Sequence, residues 1–331
     1  MSGGPGEFDL IARYLAPLAS AVPGAFGLQD DAAIIRPPAG SDLVVTTDAM
    51  IETVHFLKAD GGQSVARKLL RVNLSDLAAK GAEPLGYQLV LGMPAPLDEG
   101  WLADFAAGLA QDQKAFAFPL YGGDTVRSPG GITLAVTAFG SVPDGTMLRR
   151  GAARAGDDVY VTGSIGDAAL GLEAKLNHRL FPSASKMMFD SRLHLPSPRL
   201  AFGQGLRGIA HAVLDVSDGL VQDAGHIAET AGLQVTIEAA RVPLSLAARG
   251  ALADDPALLS VILTGGDDYE LLFTAPPEVA AAVAELGRAR QLAVTRIGHV
   301  GEGRGVAVRD GEGRPLALAK AGFQHFGGSV E

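Results

Sequence analysis

Apolar and polar positions fall into blocks along this chain, and the blocks predict two runs of α/β structure. The first run opens with a short helix around Asp9–Leu18, a Gly/Asp turn and the strand Leu43–Thr47. An amphipathic helix follows from about Ser64 to Lys80, with Gly81 as its C-cap. A strand near Gly86–Leu91, a helix near Asp98–Phe116 and a strand near Ile132–Phe139 complete it. Turn signals at Pro143-Asp144-Gly145 and Ala155-Gly156-Asp157 mark the joint. The second run alternates: strand Val159–Thr162, helices Gly166–Leu176 and Arg199–Ala212, strand Val213–Val216, helix Leu220–Ala231, strand Gln234–Glu238. Strand Leu271–Thr274, helix Pro277–Arg290 and strands Thr295–Val300 and Gly305–Val308 close it, while Asn177–Arg192 has no clean period and reads as a loop. Mixed order first and alternation second predict two α/β domains with mixed sheets, 1–145 and 146–331.

Composition narrows the classes. Of 331 residues, 47% are hydrophobic and 19% charged, which excludes a disordered chain. No apolar stretch approaches the ~18–20 residues that span a bilayer. Met1–Gly6 lacks the basic and apolar regions of a secretory signal, so cytoplasmic residence is the expectation. The absence of cysteine removes disulfides, thiolate metal sites and thiol nucleophiles together. A net charge of −10 argues against a nucleic-acid partner, because phosphate backbones need a basic face.

The candidate chemistry is a recurring pattern in which an apolar run ends in small or hydroxyl residues and then aspartate. It appears at Val44–Asp48, Val72–Asp76, Leu120–Asp124, Val213–Asp218 and Val261–Asp268, and Asp30-Asp31 adds a pair in a turn. Carboxylates at the ends of buried strands would converge at one sheet edge and repel one another unless cations neutralised them. Few lysines or arginines lie beside these aspartates, so a divalent cation is the natural counter-charge. Oxygen ligands without cysteine favour Mg²⁺ or Mn²⁺ over zinc. A single aspartate after a strand is as well explained as a helix N-cap or turn residue; the repetition favours metal.

Mg²⁺ commonly accompanies nucleotide phosphates, yet no Walker A loop and no H-R-D kinase loop occur. Gly203-Gln204-Gly205-Leu206-Arg207-Gly208 satisfies G-x-G-x-x-G but sits inside a helical pattern with no strand before it, which makes it a decoy.

These motifs together resemble the thiamine-monophosphate kinase family, within a superfamily that also holds aminoimidazole ribonucleotide synthetase, selenophosphate synthetase and a hydrogenase-maturation ATPase. The resemblance runs through Gly6–Ile11, Asp30–Ala33, Thr46–Asp48, His55-Phe56, Asn73–Ala79 and Gly122–Thr125. It continues at Asp215–Leu220, Gly266–Glu270 and Gly322–Phe326. The missing cysteine disfavours the selenophosphate and maturation members. His55-Phe56 and the Gly322–Phe326 tail favour the thiamine enzyme over the aminoimidazole one. A binding module without catalysis is the reading from another class.

The resemblance implies a two-domain aminoimidazole ribonucleotide synthetase-like fold and ATP-dependent phosphorylation of thiamine monophosphate to thiamine diphosphate. It implies that Asp31, Thr46, Thr47, Asp48, Asp76, Asp124 and Asp215 bind Mg²⁺, with Asp218 a further ligand. Gly123, Asp124, Arg150 and Ser217 would meet ATP; His55, Asp267 and Phe323 would line the thiamine phosphate pocket. No residue is expected to act as general base, with Asp48 and Asp124 serving catalysis through metal. A homodimer formed through the first domain's sheet is also implied. Gln29, Lys80 and Asp267 depart from the commonest family residues, and the family's adenine-contacting tyrosine has no counterpart that can be placed.

Overall fold

The computed structural model describes residues 6–318 and 322–323. The chain divides into two compact units, Met1–Leu77 with Ala82–Gly145, and Ala78–Gly81 with Thr146–Glu331.

In the first unit the N-terminal helical stretch runs as α1 (Glu7–Leu10), a π-helical turn (Ile11–Leu15) and α2 (Ala16–Ala19). Then come β1 (Ser41–Ile51), α3 (Gly62–Ala79), β2 (Glu83–Met93), α4 (Glu99–Phe116), β3 (Leu120–Arg127) and β4 (Thr133–Pro143). The sheet order is β1-β4-β2-β3, antiparallel except for the β2–β3 pair. β1 alternates strictly: Val44 and Met50 are buried on one face, while Leu43, Val45 and Ile51 lie open on the other. α3 departs from the amphipathic expectation. Val65, Ala66, Leu69, Leu70, Val72, Leu74 and Leu77 are all buried, as are Lys68, Asn73 and Ser75, so the helix is covered nearly all round. α4 begins at Asp98, whose carboxylate accepts the Trp101 amide at 3.0 Å, and packs Leu102, Phe105 and Leu109 inward. Gly108 lets α4 approach α3 closely, since a Cβ there would stand 2.5 Å from the Gln63 carbonyl oxygen. The fully buried Asp112 of α4 accepts from Arg67 and Arg71 of α3 at 3.0 and 2.5 Å.

The second unit comprises β5 (Asp158–Thr162), α5 (Asp167–Leu176), α6 (Ser183–His194), α7 (Leu200–Gly205), β6 (Ala212–Asp215) and α8 (Leu220–Ala231). It continues with β7 (Gln234–Glu238), α9 (Leu246–Asp254), α10 (Leu258–Thr264), β8 (Leu271–Ala275), α11 (Ala280–Ala289), β9 (Val294–Gly301) and β10 (Gly305–Arg309). The six strands lie in the order β10-β7-β9-β5-β8-β6, with only β10–β7 parallel among the pairings. Successive residues of the central strands feed two cores. Val159, Val161, Leu214 and Leu272 join α5, α8 and α10 on one side. Tyr160, Val213, Leu271 and Phe273 join Phe202, Leu206 and Val283 on the other. Both faces being covered explains why these strands read as unbroken apolar runs.

Several elements differ from the expectations. The segment read as a loop over 177–192 contains α6. Its covered face pairs Phe189 and Leu193 with partly covered Ser185 and Arg192, so polar residues on the inward stripe erase the period. The run Val261–Leu263 is the end of α10 rather than a strand. Asp76 lies on α3, inside the helix expected over Ser64–Lys80, and so is not one of the strand-end acids with which its pattern grouped it. The strand Leu120–Arg127 is longer than its few apolar residues announce. The helix expected over 199–212 stops at Gly205, and Gly208 turns the chain at φ +76°. Gly203 of the G-x-G-x-x-G run serves packing, because a Cβ there would meet the Ala78 carbonyl oxygen at 1.9 Å.

Candidate functional site

In the first unit, strand alternation puts Thr46 and Asp48 on the covered face of β1. Two residues of α3, one turn apart, reach them. The Thr46 hydroxyl donates to Asp76 Oδ2 at 2.5 Å. The Asp48 amide donates to Asn73 Oδ1 at 3.2 Å, while Asn73 Nδ2 donates to the Leu69 carbonyl at 2.9 Å. Thr46, Asp48 and Asp76 are thereby gathered. The Thr47 hydroxyl is not with them: it pairs with Thr137 Oγ1 at 3.0 Å on the open face, leaving only the Thr47 backbone as a candidate ligand.

A second group sits at the edge strand β3. Asp30, Asp31, Gly122, Gly123 and Asp124 line a cavity of about 160 Å³. The Asp31 amide donates to Asp30 Oδ1 at 2.8 Å, closing the turn. Gly123 lies at φ +156°, and a Cβ there would stand 1.8 Å from the Leu89 carbonyl oxygen, so β3 closes against β2 only through glycine. Asp124 pairs in register with Val90, whose side chain is on the open face. The carboxylates therefore do not converge at one row of strand ends; they form two groups, because Asp76 rides a helix and Asp124 an edge strand.

His55 follows β1 in a tight turn held by Thr53 N–H to the Phe56 carbonyl, with Thr53 at φ +70°. Its Nδ1 accepts the Ile51 amide at 3.0 Å, so neutral His55 carries its proton on Nε2 and offers a donor there.

In the second unit Asp215 ends β6, as a strand-end acid was expected to do. The loop to α8 carries Ser217 and Asp218. Asp223, in the first turn of α8, accepts the amides of Ser217, Asp218 and Gly219 at 3.0, 3.1 and 3.1 Å on one oxygen. Burial pushes the Asp223 carboxyl well above the usual carboxylate range, reinforced by Asp215 and Asp218, while its amide donors pull the other way. Asp218, Asp223 and His226 bring ligating atoms within 4.8 Å of one another. The segment Gly266–Tyr269 lies along this loop: Asp267 N–H donates to the Ser217 carbonyl at 2.9 Å and Tyr269 N–H to the Val216 carbonyl at 2.8 Å. Asp267 and Tyr269 both adopt positive φ, +71° and +51°, a strained backbone of the kind concentrated at functional sites. Asp268 turns the other way, part-buried, and accepts the Gly166 amide at 2.8 Å ahead of α5; desolvation holds it well above the usual range.

Phe323 is also brought to this loop. Its amide donates to the Asp218 carbonyl at 3.1 Å, and Gln222 Nε2 reaches both the Phe323 carbonyl (2.6 Å) and Asp218 Oδ2 (3.1 Å). The phenyl group is half exposed, 47%. Arg150 is exposed and pairs with no carboxylate among the described residues. The part of the tail expected over 324–326 lies outside the described residues. The contributions of Asn73, Asp223 and Gln222 were not anticipated from sequence; an acid in the first turn of a helix that follows an acidic loop is the one signal that pointed to Asp223.

Carboxylate and hydroxyl oxygens dominate both groups of the first unit, a donor set that fits Mg²⁺ and offers no soft ligand. Two family models match: AIR synthase related protein, N-terminal domain, over residues 29–142, and AIR synthase related protein, C-terminal domain, over 154–311. The thiamine-monophosphate kinase of Caulobacter vibrioides is 42% identical over 325 residues, covering 97% of this chain and 91% of its own. The crystal structure of thiamine-monophosphate kinase from Stenotrophomonas maltophilia K279a superposes with a TM-score of 0.82 at 39% identity, covering 92% and 96% of the two chains. A structure of AaThiL complexed with AMPPCP and TMP gives 0.77 at 31% identity, covering 97% of each chain.

Proposed function

Since the chain belongs to the thiamine-monophosphate kinase family, we propose that it transfers the γ-phosphate of ATP to the phosphate of thiamine monophosphate, yielding thiamine diphosphate and ADP. The observation that carries this reading is how the scaffold places its aspartates: the Thr46 hydroxyl holds Asp76 and Asn73 holds the Asp48 amide in one group, and Asp30, Asp31 and Asp124 line one cavity in the other. Such a cluster is unfavourable without cations and apt for binding polyanions with them.

The acceptor is a phosphate oxygen with a second pKa near ~6, so at neutral pH it is already ionised. It attacks the γ-phosphorus while the bond to the β-phosphate oxygen breaks, and ADP leaves. No side chain needs to remove a proton; positioning and charge stabilisation remain. Asp31, Asp48, Asp76, Asp124, Asp215 and Asp218, with the Thr46 hydroxyl and the Thr47 backbone, are the residues that would hold Mg²⁺, which when bound supplies positive charge against the phosphates.

The Gly123 backbone and the Arg150 guanidinium meet ATP phosphates, the latter suited to an anion because no carboxylate occupies it. The amide of Ser217 is taken by Asp223, so its hydroxyl makes the nucleotide contact. His55 donates through Nε2 to the acceptor. The Phe323 ring offers a face to the cationic thiazolium, with Asp267 adding negative charge.

The chain also forms a homodimer through the open face of the first sheet. Leu43, Val45, Ile51, Val90 and Val126 are 40–53% exposed there, apolar area that water disfavours. No helix among the described residues is long and apolar enough to cross a membrane.

Incubation with ATP, Mg²⁺ and thiamine monophosphate, followed by mass spectrometry, tests the activity. Equimolar ADP and thiamine diphosphate are expected. ADP without thiamine diphosphate, or no turnover, overturns the assignment.

A further inference from the structure

Three consecutive N–H groups pointing at one concavity usually form an anion site for a ligand phosphate. The loop from β6 to α8 has that form, but its occupant comes from the chain itself: Asp223 Oδ2 receives all three amides, of Ser217, Asp218 and Gly219. The loop is fixed from other sides as well. Val216 N–H donates to the Glu270 carbonyl at 2.8 Å, and Gly219, at φ +125°, fits only because it lacks a Cβ, which would meet the Thr264 carbonyl oxygen at 2.5 Å. Asp223 itself is buried, 3% exposed, and its amide donates back to the Gly219 carbonyl at 2.9 Å.

We propose that Asp223 is a positioning residue for the phosphoryl-transfer reaction: by filling the loop's amide nest it fixes where Asp215, Ser217 and Asp218 stand. Two consequences separate it from its neighbours. The nest is closed to substrate phosphate, so these amides do not bind ATP and the loop acts through its side chains. Asp223 is an anchor rather than a metal ligand, although its atoms lie near those of Asp218 and His226, because the oxygen nearest the loop already accepts three hydrogen bonds. The inference rests on the proposed kinase reading for its kinetic arm and on none of it for its structural arm.

The structural arm is amide hydrogen exchange, read without substrate. In the parent protein the amides of Ser217, Asp218 and Gly219 are protected. In Asp223→Ala they exchange at least about tenfold faster, while the later turns of α8 keep their protection. Asp223→Asn retains an acceptor oxygen of the same reach and restores most of the protection.

The kinetic arm compares the same proteins with Asp218→Asn. Asp223→Ala lowers kcat/KM for ATP by roughly 30-fold or more, and Asp223→Asn recovers to within about threefold of the parent, whereas Asp218→Asn does not recover. If Asp223→Ala lowers only the melting temperature and leaves exchange and kinetics as in the parent, Asp223 is a plain helix cap and the proposal fails. If Asp223→Asn is as damaging as Asp218→Asn, the carboxylate charge is what matters and the proposal fails equally.

Should Asp223→Ala not fold, Asp223→Glu replaces it, keeping the charge and displacing the oxygen by one methylene. Positioning then requires faster exchange at 217–219 and kcat/KM lower by about tenfold; parent-like values for both overturn it. A parent that lacks kinase activity but shows the exchange pattern refutes the functional reading alone.

Discussion

Thr46 and Asp76 lie 30 positions apart in sequence, and the hydroxyl of the first donates to the carboxylate of the second at 2.5 Å. A strand and a helix thus present adjoining oxygen donors at a fixed separation. The bond orients Asp76 and adds no countercharge of its own.

Asp48→Asn or Asp124→Asn should lower turnover by ~10²-fold or more with the fold intact. Without metal, neither variant should melt below the parent, because like-charge repulsion is relieved. Mg²⁺ with nucleotide should raise the parent's melting temperature more than the variants'. A metal-free melting point several degrees lower would mean that these aspartates are structural caps.

Asn73 is fully buried and holds the Asp48 amide. Asn73→Ala leaves that donor without its acceptor and opens a small cavity, which should cost about 2–3 kcal/mol in urea unfolding. Activity at saturating substrate should also fall, since β1 loses its register with α3. Unchanged stability would show that the bond contributes nothing net.

Asp268 supplies a pH test. Its folded-state pKa is raised above its unfolded value by burial, so the folded state binds the proton more tightly. The stability this contributes is fully present below the ordinary carboxylate pKa and is lost as pH rises through the raised value. Asp268→Asn stays neutral and keeps an acceptor for the Gly166 amide. Its stability relative to the parent should therefore grow as pH rises from about 4 towards neutrality. Denaturant midpoints of both proteins across that range check the sign, and a difference that shrinks with pH would refute it.

With the acceptor already ionised, His55 should bind rather than catalyse. His55→Ala should raise KM for thiamine monophosphate more than it lowers kcat. Both proteins should lose kcat/KM on the acid side near pH ~6, where the acceptor phosphate gains its proton. Disappearance of that acid limb in the variant, with kcat down by ~10²-fold, would identify a catalytic base instead.

The open sheet face predicts association. Sedimentation should give about twice 34.0 kDa, and Val45→Glu, on that face, should yield a monomer with its fold retained. A monomeric parent at micromolar concentration would sink the idea.

How far the residues spoke for themselves differs from place to place. The alternation over Leu43–Thr47, the helix from Leu220 and the strand-end Asp215 were readable because local pattern and tertiary burial agree there. Val72–Asp76 fits two patterns in the sequence, an apolar run ending in an acid and the helix expected over Ser64–Lys80; the helix is what forms, and its burial almost all round is what the amphipathic expectation missed. α6 hid for a different reason: its inward stripe contains Ser185 and Arg192. The aspartates proposed to hold metal stand out in the sequence as residue types, but their division into two groups depends on sheet register. Asn73 and Gln222 act on backbone groups, the Asp48 amide and the Phe323 carbonyl, and a side chain's backbone partner leaves no mark in the residue types around it; Asp223 carries only the signal of an acid in a helix's first turn.

Gly122 and Gly123 stand side by side in β3 and face different histories. A methyl group at position 122 would meet nothing nearer than Gln88 Nε2 at 3.8 Å, whereas at 123 it would overlap the Leu89 backbone. Drift can therefore sample alanine or serine at the first position. The second has no neighbouring sequence to move to, so any lineage that keeps this strand pairing inherits its glycine unchanged.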